Sequence, residues 1–276
     1  MKITAADVNN LRKQTGAGMM DCKKALVESN GDFDLAVDFL RKQGQKVAAK
    51  RSDRDASEGA VIAKTTENGK LGAIIVLNCE TDFVAQNADF IKFAENILET
   101  AITKRPADLE ALKALPYMDS GLTIAEKITE QTGVIGEKVE LSSYDTIEAD
   151  KVVAYIHPGN RLASVVGLNK EGNYDDLGRD IAMQVAAMAP VALDKEGVPQ
   201  DVIDREIEIG KEQAIQEGKP ADMAEKIALG RLNKFYQENT LLNQSFIKDN
   251  KKSIKQYLND ADNGLSVTDF KRFSLN

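Results

Sequence analysis

The chain of 276 residues is long enough for two or three domains, each with its own core. Its 42% hydrophobic and 29% charged residues are typical of a soluble globular protein and argue against a disordered chain. The net charge of -8 and the absence of Trp argue against nucleic acid as the partner, because phosphate backbones attract basic surfaces and bases stack on aromatic rings.

Residues 1–45 are predicted to form three short helices. Thr4 and Asp7 have the spacing of a capping box, and glycines at 16–18, at Gly31 and near Gly44 end the three helices. Each apolar stripe is too narrow to stabilise an isolated helix, so the three are expected to pack together. A module this small has little core and is expected to present a surface.

The next segment, residues 46–57, is charged and predicts either a linker or a solvated helix tail, with a domain boundary near residue 54. Two apolar runs at 60–63 and 71–77 follow, separated by Asn68-Gly69, which is a strong signal for a β-hairpin. A helix is predicted from Asp89 to about Thr103.

A second stretch repeats this plan. Strands are predicted at 152–156 and 162–168, with a turn at 157–160 and a helix at 177–188. The alignment of residues 71–78 with 162–169 indicates an internal duplication. The strand-to-helix connection is about four residues longer in the first copy than in the second, because it spans 79–89 rather than 170–176.

The longer connection contains the wedge segment, Thr81, Asp82, Phe83 and Val84. A large aromatic residue on a connection either folds back onto its own core or serves an interaction, since connections often carry function. A duplicated core does not need the extra residues to fold. We therefore interpret Phe83 as an interaction residue.

The remaining segments are predicted to be mainly helical. Residues 107–132 are helical with a break at Pro116. Two helices at about 199–238, separated by Gly218-Lys219-Pro220, predict an antiparallel hairpin whose charged outer face is either solvated or a contact surface. The tail from 241 to 276 is expected to return to the core.

Motifs for chemistry are few. The chain has no Gly-x-x-x-x-Gly-Lys-[Ser/Thr] motif and so no P-loop of its own. Cys22, Cys79 and the single histidine, His157, are too few for a zinc site, and both cysteines are expected to be reduced. Asp82 beside a Phe is a poor metal ligand. A nucleophilic pair of Cys79 and His157 is the alternative that an enzyme would require.

No apolar run approaches the roughly 20 residues that span a bilayer, and the start of the chain lacks a signal segment. We therefore expect a cytoplasmic protein without a membrane partner. We also expect no cofactor and no metal site.

Several motifs together resemble the bacterial elongation factor Ts family, the nucleotide exchange factors of elongation factor Tu. They run through nearly the whole chain in the family's order, and the most specific are the first and the third. The matching stretches are residues 15–26, Gly31-Asp32, residues 81–85, Ile181-Ala182-Met183, Gly218-Lys219-Pro220, Glu225-Lys226, Gly230-Arg231 and Lys234-Phe235.

The resemblance implies an α+β fold. Residues 1–54 would form a ubiquitin-associated-like three-helix module with its linker, followed by two related α+β core subdomains with small antiparallel sheets, at 55–139 and 140–276. The helical hairpin at about 199–238 would form an arm of the second subdomain.

The resemblance also implies a function without covalent catalysis. The protein would bind elongation factor Tu with GDP, release GDP by displacing Mg²⁺, and stay bound until GTP enters. Residues 81–84 match the family segment that displaces the ion. Four further positions would dock on the GTPase domain. His157 matches a family histidine at the second hairpin. The protein would also contact a further domain of elongation factor Tu. The four docking positions are Arg12, Met19, Met20 and Lys23.

Some features depart from the family. Pro158 and Ala163 replace the Gly-rich pattern expected around the His157 turn, and a C-terminal module found in some members is expected to be missing. Two alternatives stay open: a homodimer through the helical hairpin, and an adaptor in which residues 1–45 bind ubiquitin or a nascent chain while the rest is scaffold.

Overall fold

The computed structural model describes residues 3–275, with only the helical backbone described at 221 and 222. Within these residues, helices and small antiparallel sheets confirm the predicted α+β class. The helices are α1 Ala5–Thr15, α2 Met19–Glu28, α3 Phe33–Arg51, α4 Asp82–Ala85, α5 Ala88–Lys104, α6 Leu109–Ala114, α7 Ile124–Ile135, α8 Asp175–Met188, α9 Gln200–Gln216, α10 Ala221–Asn239 and α11 Ile254–Ala261. The strands are β1 Glu58–Thr65, β2 Leu71–Cys79, β3 Glu140–Glu148, β4 Lys151–Ile156, β5 Leu162–Leu168, β6 Ser245–Phe246, β7 Asp249–Ser253 and β8 Val267–Ser274.

The first three helices pack around one small core, as predicted. Thr4 caps α1 and exchanges hydrogen bonds with Asp7, which confirms the capping box. Buried apolar side chains from all three helices meet in the centre, with Leu11, Leu26 and Ala36 fully buried among them.

The predicted end of the third helix near Gly44 was wrong. α3 continues to Arg51, so the helix-tail alternative for residues 46–57 holds over its first part. Gly44 does not end the helix because it is buried against α7, where a Cβ added at Gly133 would lie 2.3 Å from the Gly44 Cα. The two glycines allow the helix backbones to touch, and this contact joins the N-terminal module to the core.

Two three-stranded antiparallel sheets form the centre of the molecule, in the orders β1-β2-β3 and β4-β5-β8. The repeated plan is confirmed, since each sheet contains a hairpin that is followed by a helix, α5 or α8. Every residue of β2 is buried. Its Ile75 and Leu77 pack towards α5, while Ile74 and Val76 pack against side chains of the second sheet. The architecture is therefore four layers, with the two sheets face to face between α5 and α8.

One strand of the first sheet, β3, was missed by the sequence analysis. It begins at Glu140 and pairs with β2, although the predicted division placed residue 140 in the following subdomain. The tail from 241 returns to the core as predicted, because β8 pairs with β5 and Phe246 and Leu258 pack in the core beside α8. The division into 1–54, 55–139 and 140–276 stays a prediction.

The two helices after Pro199 form the expected hairpin. Gly210 and Ala228 lie at its closest approach, where a Cβ on Gly210 would be 3.1 Å from the Ala228 Cα. Small residues at this point let α9 and α10 pack along their lengths.

The contact between Gly44 and Gly133 makes a prediction about stability. In Gly133→Ala the new methyl group clashes with the α3 backbone, and we expect this overpacking, about 1–3 kcal/mol, to outweigh the roughly 1 kcal/mol that Ala gains in helix propensity. Urea denaturation measures the difference. The matched control is Gly230→Ala in α10, where an added Cβ meets no described atom within 4 Å and the unfolding free energy should rise. A Gly133→Ala protein as stable as the wild type would contradict the packing argument.

Candidate functional site

The wedge segment lies in the strand-to-helix connection, as predicted, and forms a turn of helix there. Residues Asp82–Ala85 form α4, and Thr81 is its N-cap. The Thr81 hydroxyl accepts a hydrogen bond from the Val84 N–H at 3.4 Å. The Thr side chain thus replaces a partner that a one-turn helix cannot supply from its own backbone.

Phe83 projects from this turn into solvent, with 84% of its surface exposed. Successive residues of a helix point about 100° apart, so a single turn divides its side chains between the core and the surface. Ala85 is buried and Val84 packs against the first core, whereas Asp82 and Phe83 face outward. The alternative in which Phe83 folds back onto its own core is therefore wrong.

Two carboxylates outside α4 hold its start. Glu137 accepts hydrogen bonds from the Thr81 N–H at 3.0 Å and from the Thr81 hydroxyl at 2.7 Å. Glu80 accepts from the Lys138 N–H at 2.7 Å and from Nη1 of Arg51 at 2.7 and 2.9 Å. The Lys138 N–H, with help from Arg51, holds the pKa of Glu80 below its usual value of 4.5.

Arg51, Glu80 and Glu137 were missed as site residues by the sequence analysis. Glu137 is 56 positions from Thr81, and Arg51 is 29 positions from Glu80. Charged residues at such separations carry no periodic or spacing signal, so only the fold brings them together.

Cys79 lies directly beneath the wedge segment and is fully buried. Its thiol donates to the Thr81 carbonyl at 3.2 Å. Burial, with the negative charge of Glu137, raises the pKa of this thiol to about 12. His157 has a different neighbour, since its Nδ1 lies 2.9 Å from the Tyr155 hydroxyl. The Cys79–His157 nucleophilic pair is thus not formed between these two described side chains.

The turn that carries His157 lies at the same end of the sheets as the wedge segment. The Asn160 carbonyl accepts from the Val61 N–H at 2.7 Å, and Arg161 forms an ion pair with Glu58. Glu58 is the register partner of Cys79, two residues before Thr81. The turn that carries the exposed His157 is therefore joined to the end of β1 that pairs with the last residue of β2, just before the wedge segment.

The four predicted docking residues lie on the N-terminal module and are all exposed. Met19 and Met20 are 52% and 74% exposed at the start of α2. This exposure is unfavourable for apolar side chains, since their burial is stabilising. Arg12 and Lys23 add positive charge to the same two helices. The result is an apolar pair on a module that also carries basic side chains.

A groove of about 400 Å³ connects this module with the wedge segment. Gly16, at the corner between α1 and α2, and Val84 of α4 both line it. Phe90, Phe93 and Tyr117 form its apolar wall. The corner that precedes Met19 and the turn that presents Phe83 thus border one depression.

Among the side chains that the structure describes, the acidic, histidine and cysteine residues form no group of three that could hold a metal ion. None of the helices in the same described part of the chain is long and apolar enough to cross a membrane.

Known proteins are similar to this chain over nearly its whole length. The family described as Elongation factor TS matches residues 80–276. Elongation factor Ts of Christiangramia forsetii is 54% identical over 275 residues, which is 99% of each chain. The protein of the same name from Porphyromonas gingivalis is 52% identical over 276 residues, covering 100% of this chain and 99% of that one. That of Cytophaga hutchinsonii is 54% identical over 275 residues and 99% of each chain.

Burial of the two thiols predicts their reactivity. Both cysteines are buried, and desolvation raises the pKa of each. Because the thiolate is the reactive form, neither should react with Ellman's reagent within minutes at pH 8 in the native protein. Both should react at once in guanidinium. Fast native labelling that Cys79→Ser abolishes would contradict the buried position of Cys79 and restore the enzyme alternative.

Proposed function

The chain belongs to the elongation factor Ts family, and we propose that it speeds the release of GDP from elongation factor Tu by displacing the bound Mg²⁺. Membership carries the coarser role, that of a nucleotide exchange factor in translation elongation that binds elongation factor Tu. In the full proposal the protein binds the GDP form in the cytoplasm and stays bound until GTP enters. It performs no covalent chemistry.

The exposure of Phe83 on an anchored turn is the observation that supports this proposal most. The ring of Phe83 is 84% exposed, so its burial by a partner would lower the free energy of the complex. Complete burial of such a side chain contributes roughly 1.5–3 kcal/mol, or about one to two powers of ten in affinity. This energy is available only when the partner opens a pocket for the ring.

Displacement of the metal follows from the chemistry of the partner. In a GTPase, Mg²⁺ and the P-loop together hold the nucleotide phosphates. A wedge that moves the metal-holding segment leaves the phosphate charge uncompensated and weakens the binding of GDP. Linkage makes the effect reciprocal, so GDP must weaken the exchange factor by the same factor.

Burial of Phe83 alone cannot supply a large coupling between binding of the protein and release of GDP. The exposed residues of the N-terminal module therefore contribute part of the binding free energy. We propose that Met19 and Met20, with Arg12 and Lys23, dock on the GTPase domain, where burial of the methionines adds apolar contact. His157 lies on an exposed turn that is joined to β1 near the start of the wedge segment, and it would contact the partner there. A further domain of elongation factor Tu would contact the second subdomain.

The adaptor alternative has no observation in its favour that the exchange function does not share. An adaptor that binds through residues 1–45 alone does not need α3 to be joined to the core, yet Arg51 and Gly44 hold it there. A homodimer through the hairpin of α9 and α10 stays a prediction.

Phe83→Ala tests the proposal in a stopped-flow assay of GDP release at increasing concentrations of the protein. Because the ring is exposed, the unfolding free energy should change by less than about 0.5 kcal/mol. The release rate at saturation should fall about 10- to 100-fold. Binding to nucleotide-free elongation factor Tu, where the ring is buried, should weaken by a similar factor, while binding to the GDP form should weaken much less.

The control is Met188→Ala, another exposed apolar residue, which lies at the end of α8. It should change neither quantity. If Phe83→Ala weakens binding to the GDP form and to the nucleotide-free form by the same factor and leaves the saturated release rate unchanged, Phe83 is only a contact residue and the displacement mechanism fails.

A further inference from the structure

The anchor of the wedge segment lies outside that segment. Glu137 follows Gly136, whose left-handed conformation (φ 80°) ends α7. Its carboxylate accepts both the N–H and the hydroxyl of Thr81. We propose that Glu137 is a positioning residue for nucleotide exchange, which holds α4 in the orientation from which Phe83 enters the partner. This inference rests on the exchange function proposed above.

A helix of four residues cannot hold its own shape, since isolated helices shorter than about 12–15 residues are marginal in water. The Thr81 hydroxyl donates its proton to Oε1 of Glu137, which leaves its lone pairs free to accept the Val84 N–H. Glu137 therefore fixes the rotamer of the capping side chain and the position of its backbone. Without Glu137, α4 would lose the contacts that orient its first residue.

The segment that supplies Glu137 is itself held on two sides. The Lys138 N–H donates to Glu80, the residue before Thr81, at 2.7 Å. The Val139 N–H donates to the hydroxyl of Thr132 in α7 at 3.2 Å. Because α7 also packs on α3, the segment that anchors α4 is connected to this pair of helices. A preorganised wedge of this kind loses little free energy in ordering when it binds.

Substitutions at Glu137 separate geometry from charge. Gln has the same length and can accept from the Thr81 N–H while donating to the hydroxyl, so two hydrogen bonds remain. Asp keeps the charge but is one methylene shorter and cannot reach both donors. Ala removes both bonds. A positioning role therefore predicts that Gln functions and that Asp and Ala do not.

The experiment measures GDP release from elongation factor Tu at saturating concentrations of each variant. Glu137→Ala and Glu137→Asp should lower the saturated rate about tenfold, the scale of one hydrogen bond to a charged group. Glu137→Gln should stay within about threefold of the wild type. Glu140→Ala is the control for lost charge, because Glu140 pairs with the Lys138 side chain and should leave the rate unchanged.

A double substitution tests whether Glu137 acts through Phe83. If it does, Phe83→Ala/Glu137→Ala releases GDP at the rate of Phe83→Ala alone, since the ring to be positioned is gone. A merely structural role would lower the rate in both backgrounds. The Asp variant keeps the test valid if the Ala variant does not fold.

Three results would overturn the inference: a wild-type rate in Glu137→Ala, a rate that follows charge rather than length, or additive effects in the double variant. Failure of the exchange function would be seen separately. In that case either the wild-type protein does not speed GDP release, or Phe83→Ala speeds it as much as the wild type does. In that case this inference fails as well.

Discussion

The paired hydrogen bonds from Thr81 to Glu137 are the contacts on which the exposed position of Phe83 depends. A large aromatic side chain next to an apolar core would normally turn inward, because its burial stabilises the folded protein. Here the cap fixes the backbone of a single helical turn, and Ala85 already fills the inward position. The ring remains in solvent because the surrounding structure determines the conformation of the turn, so its apolar surface stays available to a binding partner.

The duplicated core explains where this turn lies. Each copy is a hairpin followed by a helix, and the two sheets pack face to face so that α5 and α8 cover the outer faces. Both strand-to-helix connections must cross the end of a sheet. The first connection alone contains the additional turn, α4, while the second enters its helix directly. The stable layers thus act as a rigid base, and the chain's extra residues form the projection.

Local signals predicted much of this structure. Thr4 with Asp7, the Asn68-Gly69 turn and the repeated strand pattern each depend on neighbours in sequence, and the structure contains all three. The missed features depend on distant partners. β3 has few apolar residues and exists because β2 offers it an edge, α3 passes through Gly44 because α7 lies against it, and Glu137 has no local pattern to mark it. Phe83 could be selected from the sequence, whereas its supports could not.

In the proposed function, this protein releases GDP by removing the metal from the partner's nucleotide site. The most direct test is the release of a fluorescent GDP analogue from elongation factor Tu, with and without the protein, in excess Mg²⁺ and again after chelation. Chelation already removes the metal, so we expect a large acceleration of GDP release in Mg²⁺ and the loss of most of that acceleration after chelation. An acceleration that is undiminished after chelation would show that the protein weakens GDP by another route.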